Sequence, residues 1–111
     1  MKVSITQFGD APPLPASVHG AVTAATGGQA GATLLTAAIS VVVVAPAGTA
    51  VVLAVNGDGR REVLNRSGFD LPVYPSLATA IEGYGTNVPA VIPSGGDARF
   101  IFDGTATWRQ T

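Results

Sequence analysis

Between Ala11 and Gly57 the chain carries no Asp, Glu, Lys or Arg, and residues 32–55 within that stretch are mostly apolar. An apolar run of that length passes the test for a membrane-spanning helix, which needs about 20 such residues. Its composition opposes that reading. Ala45-Pro46-Ala47-Gly48-Thr49 interrupts the run at its middle, and Val41 to Val44, Val51, Val52 and Val55 are β-branched. No Trp, Tyr, Lys or Arg flanks the run to anchor it at an interface. Branched side chains favour strands and a Pro-Gly pair favours a turn, so the stretch predicts two buried strands joined by a turn, with no membrane partner.

The same punctuation continues to the C-terminus. Strands are predicted over residues 34–44, 49–55, 61–65, 71–74, 80–81, 88–92, 99–102 and 107–109, separated by turn signals such as Ser67-Gly68, Gly83-Tyr84-Gly85, Pro93-Ser94-Gly95-Gly96-Asp97 and Asp103-Gly104. Many short strands at regular spacing mark a sandwich or barrel. The expectation is an all-β domain, a compact sandwich or barrel of about seven to eight short, mainly antiparallel strands. Helix is scarce: residues 76–81 and 21–25 offer one turn each, and no segment sustains a 3.6-residue period with start and stop signals. In Arg99-Phe100-Ile101-Phe102, alternation places Phe100 and Phe102 on the core side.

The chain divides into an extended Pro-rich N-terminal arm, residues 1–16, and a single β domain, residues 17–111. In the arm a short strand-like run ends at Phe8, and Pro12, Pro13, Leu14 and Pro15 follow, favouring polyproline geometry and giving few sheet donors. Such a segment suits draping over a neighbour; the alternative is a frayed or locally packed terminus. The N-terminus has no continuous apolar core of a secretory signal.

With 111 residues the chain can bury a core of its own. Charged residues make up only 12%, about half of the roughly 25% usual in soluble domains. With a net charge of −1, little protects such a surface from self-association. Contact with copies of itself or with a larger assembly is therefore expected. The scattered Arg60, Arg61, Arg66, Arg99 and Arg109 form no basic stripe of the kind that tracks a phosphate backbone, so nucleic acid is not an expected partner. No cysteine is present, which removes disulfides and thiolate metal ligands.

Each motif that suggests chemistry lacks a required companion. His19 is the sole histidine, and with Ser17 it would need an orienting carboxylate that the nearby sequence does not supply. One histidine without cysteine makes no zinc site. Thr26-Gly27-Gly28-Gln29-Ala30-Gly31-Ala32-Thr33 is glycine-rich but lacks the Lys and hydroxyl that hold phosphate and magnesium. Asn56-Gly57-Asp58-Gly59 offers oxygen ligands but stops far short of a calcium loop, and Asn-Gly is the preferred hairpin turn. Asp97 and Asp103 each sit in a Gly-containing turn, where Asp bonds its own backbone. No catalytic, cofactor or metal residue is assigned, and the chain reads as an assembly or binding module and not as an enzyme. Tyr84, between two glycines, and Trp108, near the terminus, are the aromatic contact candidates. With Phe8, Pro12, Pro13, Leu14 and Pro15 they make up the candidate assembly contacts.

From about Gly31 to Arg109 the chain resembles a group of short tailed-bacteriophage proteins encoded among virion structural genes. The resemblance rests on an ordered series: Thr33-Leu34-Leu35-Thr36-Ala37-Ala38-Ile39-Ser40-Val41-Val42, a second apolar strand, and Val63-Leu64-Asn65-Arg66-Ser67-Gly68. Leu71-Pro72-Val73-Tyr74-Pro75, Ile81-Glu82-Gly83, Asn87, Gly95-Gly96, Phe100-Ile101-Phe102 and Trp108 complete it. It implies a compact β-fold carried on virions as a homotrimer, in capsid decoration or in fibre-like and tail-associated proteins. Residues 56–62 are more charged than the family pattern, and the arm lies outside it. The expected function is that of a capsid decoration, or cement, protein, made in the host cytoplasm and bound to the major capsid protein on the outer shell. The alternative is a receptor-binding or glycan-binding module of a tail fibre or tail tip. A cellular adhesin is a third option, and would be expected to carry a secretion signal.

Overall fold

The structure is a computed structural model and describes residues 18–55 and 59–111. The domain is nearly all β. Among the described residues ten strands follow in order: β1 (Val18–Thr23), β2 (Thr33–Leu35), β3 (Ile39–Val44), β4 (Val51–Leu53), β5 (Arg60–Asn65), β6 (Leu71–Tyr74), β7 (Ala80–Ile81), β8 (Ala90–Ile92), β9 (Asp97–Phe102) and β10 (Thr107–Gln110). A single four-residue turn of helix, α1 (Gly28–Gly31), lies between β1 and β2. The predicted arm, with Phe8, Pro12, Pro13, Leu14 and Pro15, lies outside the described residues.

The strands form two sheets. The larger has six strands in the order β1-β3-β5-β9-β10-β7, and the smaller four in the order β2-β4-β6-β8. From β1 to β9 the chain alternates between them, one strand in each in turn. Val18 stands beside Ile39 and Ile39 beside Glu62; in the other sheet Thr33 stands beside Val51 and Val51 beside Val73. Each partner lies roughly twenty residues along the chain, near the lower end of the repeat lengths at which solenoids stack. The pairs β1–β2, β3–β4 and β5–β6 are thus three stacked rungs of a two-sided coil.

This architecture corrects the predicted pairing. Five of the eight strand pairings are parallel: β1 with β3, β3 with β5, β2 with β4, β4 with β6, and β7 with β10. Only β5 with β9, β9 with β10 and β6 with β8 are antiparallel. The physical reason lies in the turns. A turn that also carries the chain to the opposite sheet does not make a hairpin, and two such turns in succession restore the strand direction. The Pro46–Gly48 turn, closed by the Thr49 N–H donating to the Pro46 carbonyl at 3.1 Å, joins β3 to β4 in this way. The hairpin predicted at Asn56-Gly57-Asp58-Gly59 falls mostly outside the described residues, and its flanking strands β4 and β5 belong to different sheets. Val18–Thr23, where no strand is predicted, forms β1.

One apolar core fills the space between the sheets. Val42, Val63, Ala98, Phe100 and Trp108 enter it from the larger sheet, and Leu35, Val51, Leu53, Leu71, Val73, Ala90 and Ile92 from the smaller. Phe100 is buried and Phe102 packs against the core, on the side that the alternation assigned to them, with Arg99 and Ile101 exposed on the other. Arg61 also points inward; its Nε donates to the Leu35 carbonyl at 3.2 Å, tying β5 to β2 across the core. No helix among the described residues is long and apolar enough to cross a membrane.

Candidate functional site

Successive residues of a strand point to opposite faces, so a strand apolar at every position must present apolar side chains to both sides of its sheet. The smaller sheet is built from such strands: Thr33-Leu34-Leu35, Val51-Val52-Leu53, Leu71-Pro72-Val73-Tyr74 and Ala90-Val91-Ile92, without one charged residue. Leu35, Val51, Leu53, Leu71, Val73, Ala90 and Ile92 point into the core. Leu34, Val52 and Tyr74 therefore line up across the outward face, with Pro72 paired to Val91 beside them. Leu34 is 56% exposed and Val91 55%, whereas Val52 between its neighbours is only 7% exposed. The result is a groove with an apolar floor.

The groove holds about 660 Å3 and is lined by α1, by β2 and β4 with their flanks, and by the turn after β6. That turn, Ser76 to Thr79, is closed by the Thr79 N–H donating to the Ser76 carbonyl at 3.0 Å. Its third residue, Ala78, has φ +67, a left-handed conformation that costs a residue bearing a Cβ roughly 1–2 kcal/mol. The second, Leu77, is 77% exposed, the largest exposure among the large hydrophobic side chains described. Asn87 holds the turn from outside: its Oδ1 accepts the Ala78 N–H at 2.7 Å and the Gln29 Nε2 at 3.1 Å. Gln29 Nε2 also donates to the Pro75 carbonyl at 2.8 Å, so α1 is fastened to the loops after β6. Glycine is demanded in α1, because a Cβ on Gly31 would lie 2.3 Å from the Thr26 carbonyl oxygen. The glycine-rich segment thus serves as a wall of the groove.

The larger sheet is the electrostatic opposite. Arg60, Asp97, Arg99 and Arg109 are exposed on it, and Glu62 stands directly across from Arg99. Ion pairs Arg66–Asp97 at 2.9 Å and Arg109–Glu82 at 3.1 Å lie at its margins. Asp103 turns the chain from β9 to β10, where its Oδ1 accepts the N–H groups of Thr105, Ala106 and Thr107. These bonds, that of Thr105 first, hold its carboxyl below the usual 3.8. Asp97 and Asp103 are therefore occupied by structural partners.

Trp108 is not a contact residue of this domain: it is 0% exposed, tilted against Phe102 at 5.0 Å between ring centroids, with Nε1 donating to Ser76 Oγ at 3.3 Å. Although it lies near the terminus, β10 is an interior strand between β9 and β7, which carries its ring into the core. Tyr84 lies after β7 and is 45% exposed, outside the lining of the groove. His19 stands on the edge strand β1, exposed and beside Ser40 in register, with no carboxylate bonded to it among the described residues. No group of three His, Cys, Asp or Glu side chains able to hold a metal occurs among the described residues. The residues that sequence reasoning missed are Leu34, Val52, Val55, Leu77 and Val91. The signal for the first two was present in Leu34-Leu35 and Val51-Val52-Leu53, runs without a polar alternate. Comparison with protein-family models, curated proteins and solved structures finds no match to this chain.

Proposed function

We propose that the chain is a non-enzymatic structural protein of a bacteriophage virion, a decoration protein that binds the outer capsid shell, contacts the major capsid protein and stabilises the head as a homotrimer. The observation that supports this reading best is the pairing of a charge-free apolar face with a charged one on a small β domain. One face suits burial in an assembly and the other suits solvent. The resemblance of its motif order to short phage structural proteins, noted from the sequence, suggests the setting. Binding only to the assembled shell would stabilise it by mass action.

The arm, with Phe8, Leu14 and the prolines, is assigned to shell contact. Deleting residues 1–16 should abolish binding to shells and lower the heat stability of the particle; unchanged binding and heat stability would refute the assignment. The rival reading, a tail-fibre or tail-tip module that touches a host glycan, draws on exposed Tyr84 in its loop. Copy number separates the two. A decoration protein should appear in purified virions in copies comparable with the capsid subunits, a tail-tip module in a handful.

A further inference from the structure

The outward face of the smaller sheet would be costly to leave in water. Four strands about 4.8 Å apart, each extended by its flanks to about six residues of roughly 3.3 Å, give a face on the order of 400 Å2 in plan. That falls among the largest apolar patches that monomers expose, which are often functional. The relief of Leu34 and Leu77 adds accessible area and carries it towards the smaller specific protein interfaces.

The chemistry of the face narrows its occupant. Of the polar side chains in the groove, Gln29 donates to Pro75 and Asn87, and Ser76 bonds Thr79 and accepts from Trp108. Few polar groups are therefore left to orient a small ligand. No strand of the face carries a cation or Trp to anchor it at a lipid headgroup. An acidic partner would find no cation on these strands, and a basic one only Asp70 at the margin, just before β6. A surface that does match it in charge and polarity is the same face of another copy, since two apolar faces whose strands carry no charge can meet with Asp70 left at the rim, without burying an unpaired charge. The face also holds both halves of a fit. Leu77 projects from a left-handed turn at the rim, and the groove floored by Val52 lies next to it. Backbone strain retained in a turn that displays an apolar side chain to solvent is what a contact site would justify.

We infer that copies of this chain associate through the outward face of the smaller sheet, with Leu77 of one copy seated in the groove of another. This deepens the self-association in the reading above and does not depend on shell binding. The charged sheet then faces outward on every subunit.

The test uses the full chain in solution. Light scattering should give the wild type a mass at an integer multiple of the 11.1 kDa chain. The double variant Leu34→Glu, Leu77→Asp changes two exposed side chains and should run as the single chain with an unchanged circular-dichroism spectrum. Ile101→Glu, on the charged sheet, should keep the wild-type mass. A monomeric wild type at high micromolar concentration would overturn the inference, as would a double variant that still assembles or an Ile101→Glu that dissociates equally. Shell binding of the wild type is measured separately: its absence beside the expected masses would overturn the decoration reading and leave this interface standing.

Discussion

Asn65 is fully buried at the end of β5, where an apolar residue would take a donor away from three carbonyls and leave nothing to accept from Ser67. Its Nδ2 donates to the carbonyls of Phe69, Ile92 and Pro93 at 2.7, 2.9 and 3.2 Å, and its Oδ1 accepts from the N–H and hydroxyl of Ser67. One side chain thus fastens the turns after β5 and after β8 to the same point. Because buried unsatisfied groups cost about 1–3 kcal/mol each, Asn65→Ala should lower unfolding free energy by roughly 2–4 kcal/mol in urea titration. Asp103 makes a pH-dependent counterpart. Its folded carboxyl is held below 3.8 by the N–H groups of Thr105, Thr107 and Ala106, so its stabilisation is present above that value and drains away as pH falls through the folded pKa. Asp103→Ala should therefore lower the melting temperature at pH 7, and the gap from wild type should narrow as the pH falls below 3.8 and the folded carboxyl takes up its proton. A gap that stayed the same across that range would refute the capping role.

At the scale of elements, many strand positions were legible in the sequence, because β-branched runs between Gly, Pro and Asp are a local signal. The strand expected over residues 34–44, however, divides into β2 and β3 in opposite sheets, and the described residues form ten strands where seven to eight were expected. The β6 and β7 bounds agree with expectation, and β5, β9 and β10 begin or end within two residues of it. Pairing was not legible. A Gly-Pro turn reads the same whether it folds a strand back on its neighbour or lifts it across to the opposite sheet, and the difference is made by the core that both sheets share. The groove was half legible for the same reason. Leu34 and Leu35 announce two apolar faces, but only the fold decides which one the core covers. Adjacent residues on β2 should accordingly behave differently. Leu35→Ala, in the core, should cost about 2–5 kcal/mol, while Leu34→Ala should cost under about 0.5 kcal/mol when folding is read at dilutions too low for association. Equal costs would place both side chains in one environment and contradict the sheet orientation.

For the molecule as a whole, charge is segregated along the chain and across the fold. The described residues carry no Asp, Glu, Lys or Arg before Arg60, and those from Arg60 onward lie on or beside the larger sheet, except Asp70, which precedes β6. A coil of parallel rungs delivers this segregation simply. Each strand stacks beside the corresponding strand of the next rung, so the strands of the smaller sheet stay free of charge while the larger carries its charges beside exposed Val43 and Ile101. A decoration role makes a thermodynamic demand on such a molecule, since each occupied shell site should contribute stability set by concentration and not by chemistry. At a free concentration 100 times the dissociation constant the gain is about 2.7 kcal/mol per site. Heads lacking the protein, titrated with purified chain, should therefore release their DNA at progressively higher temperature until the sites fill, and then no further. The Leu34→Glu, Leu77→Asp variant should need a higher concentration for the same shift, because single subunits lose the avidity of an assembled group. A heat-release temperature that ignores added protein at saturating occupancy would count against the decoration role, whatever the state of association in solution.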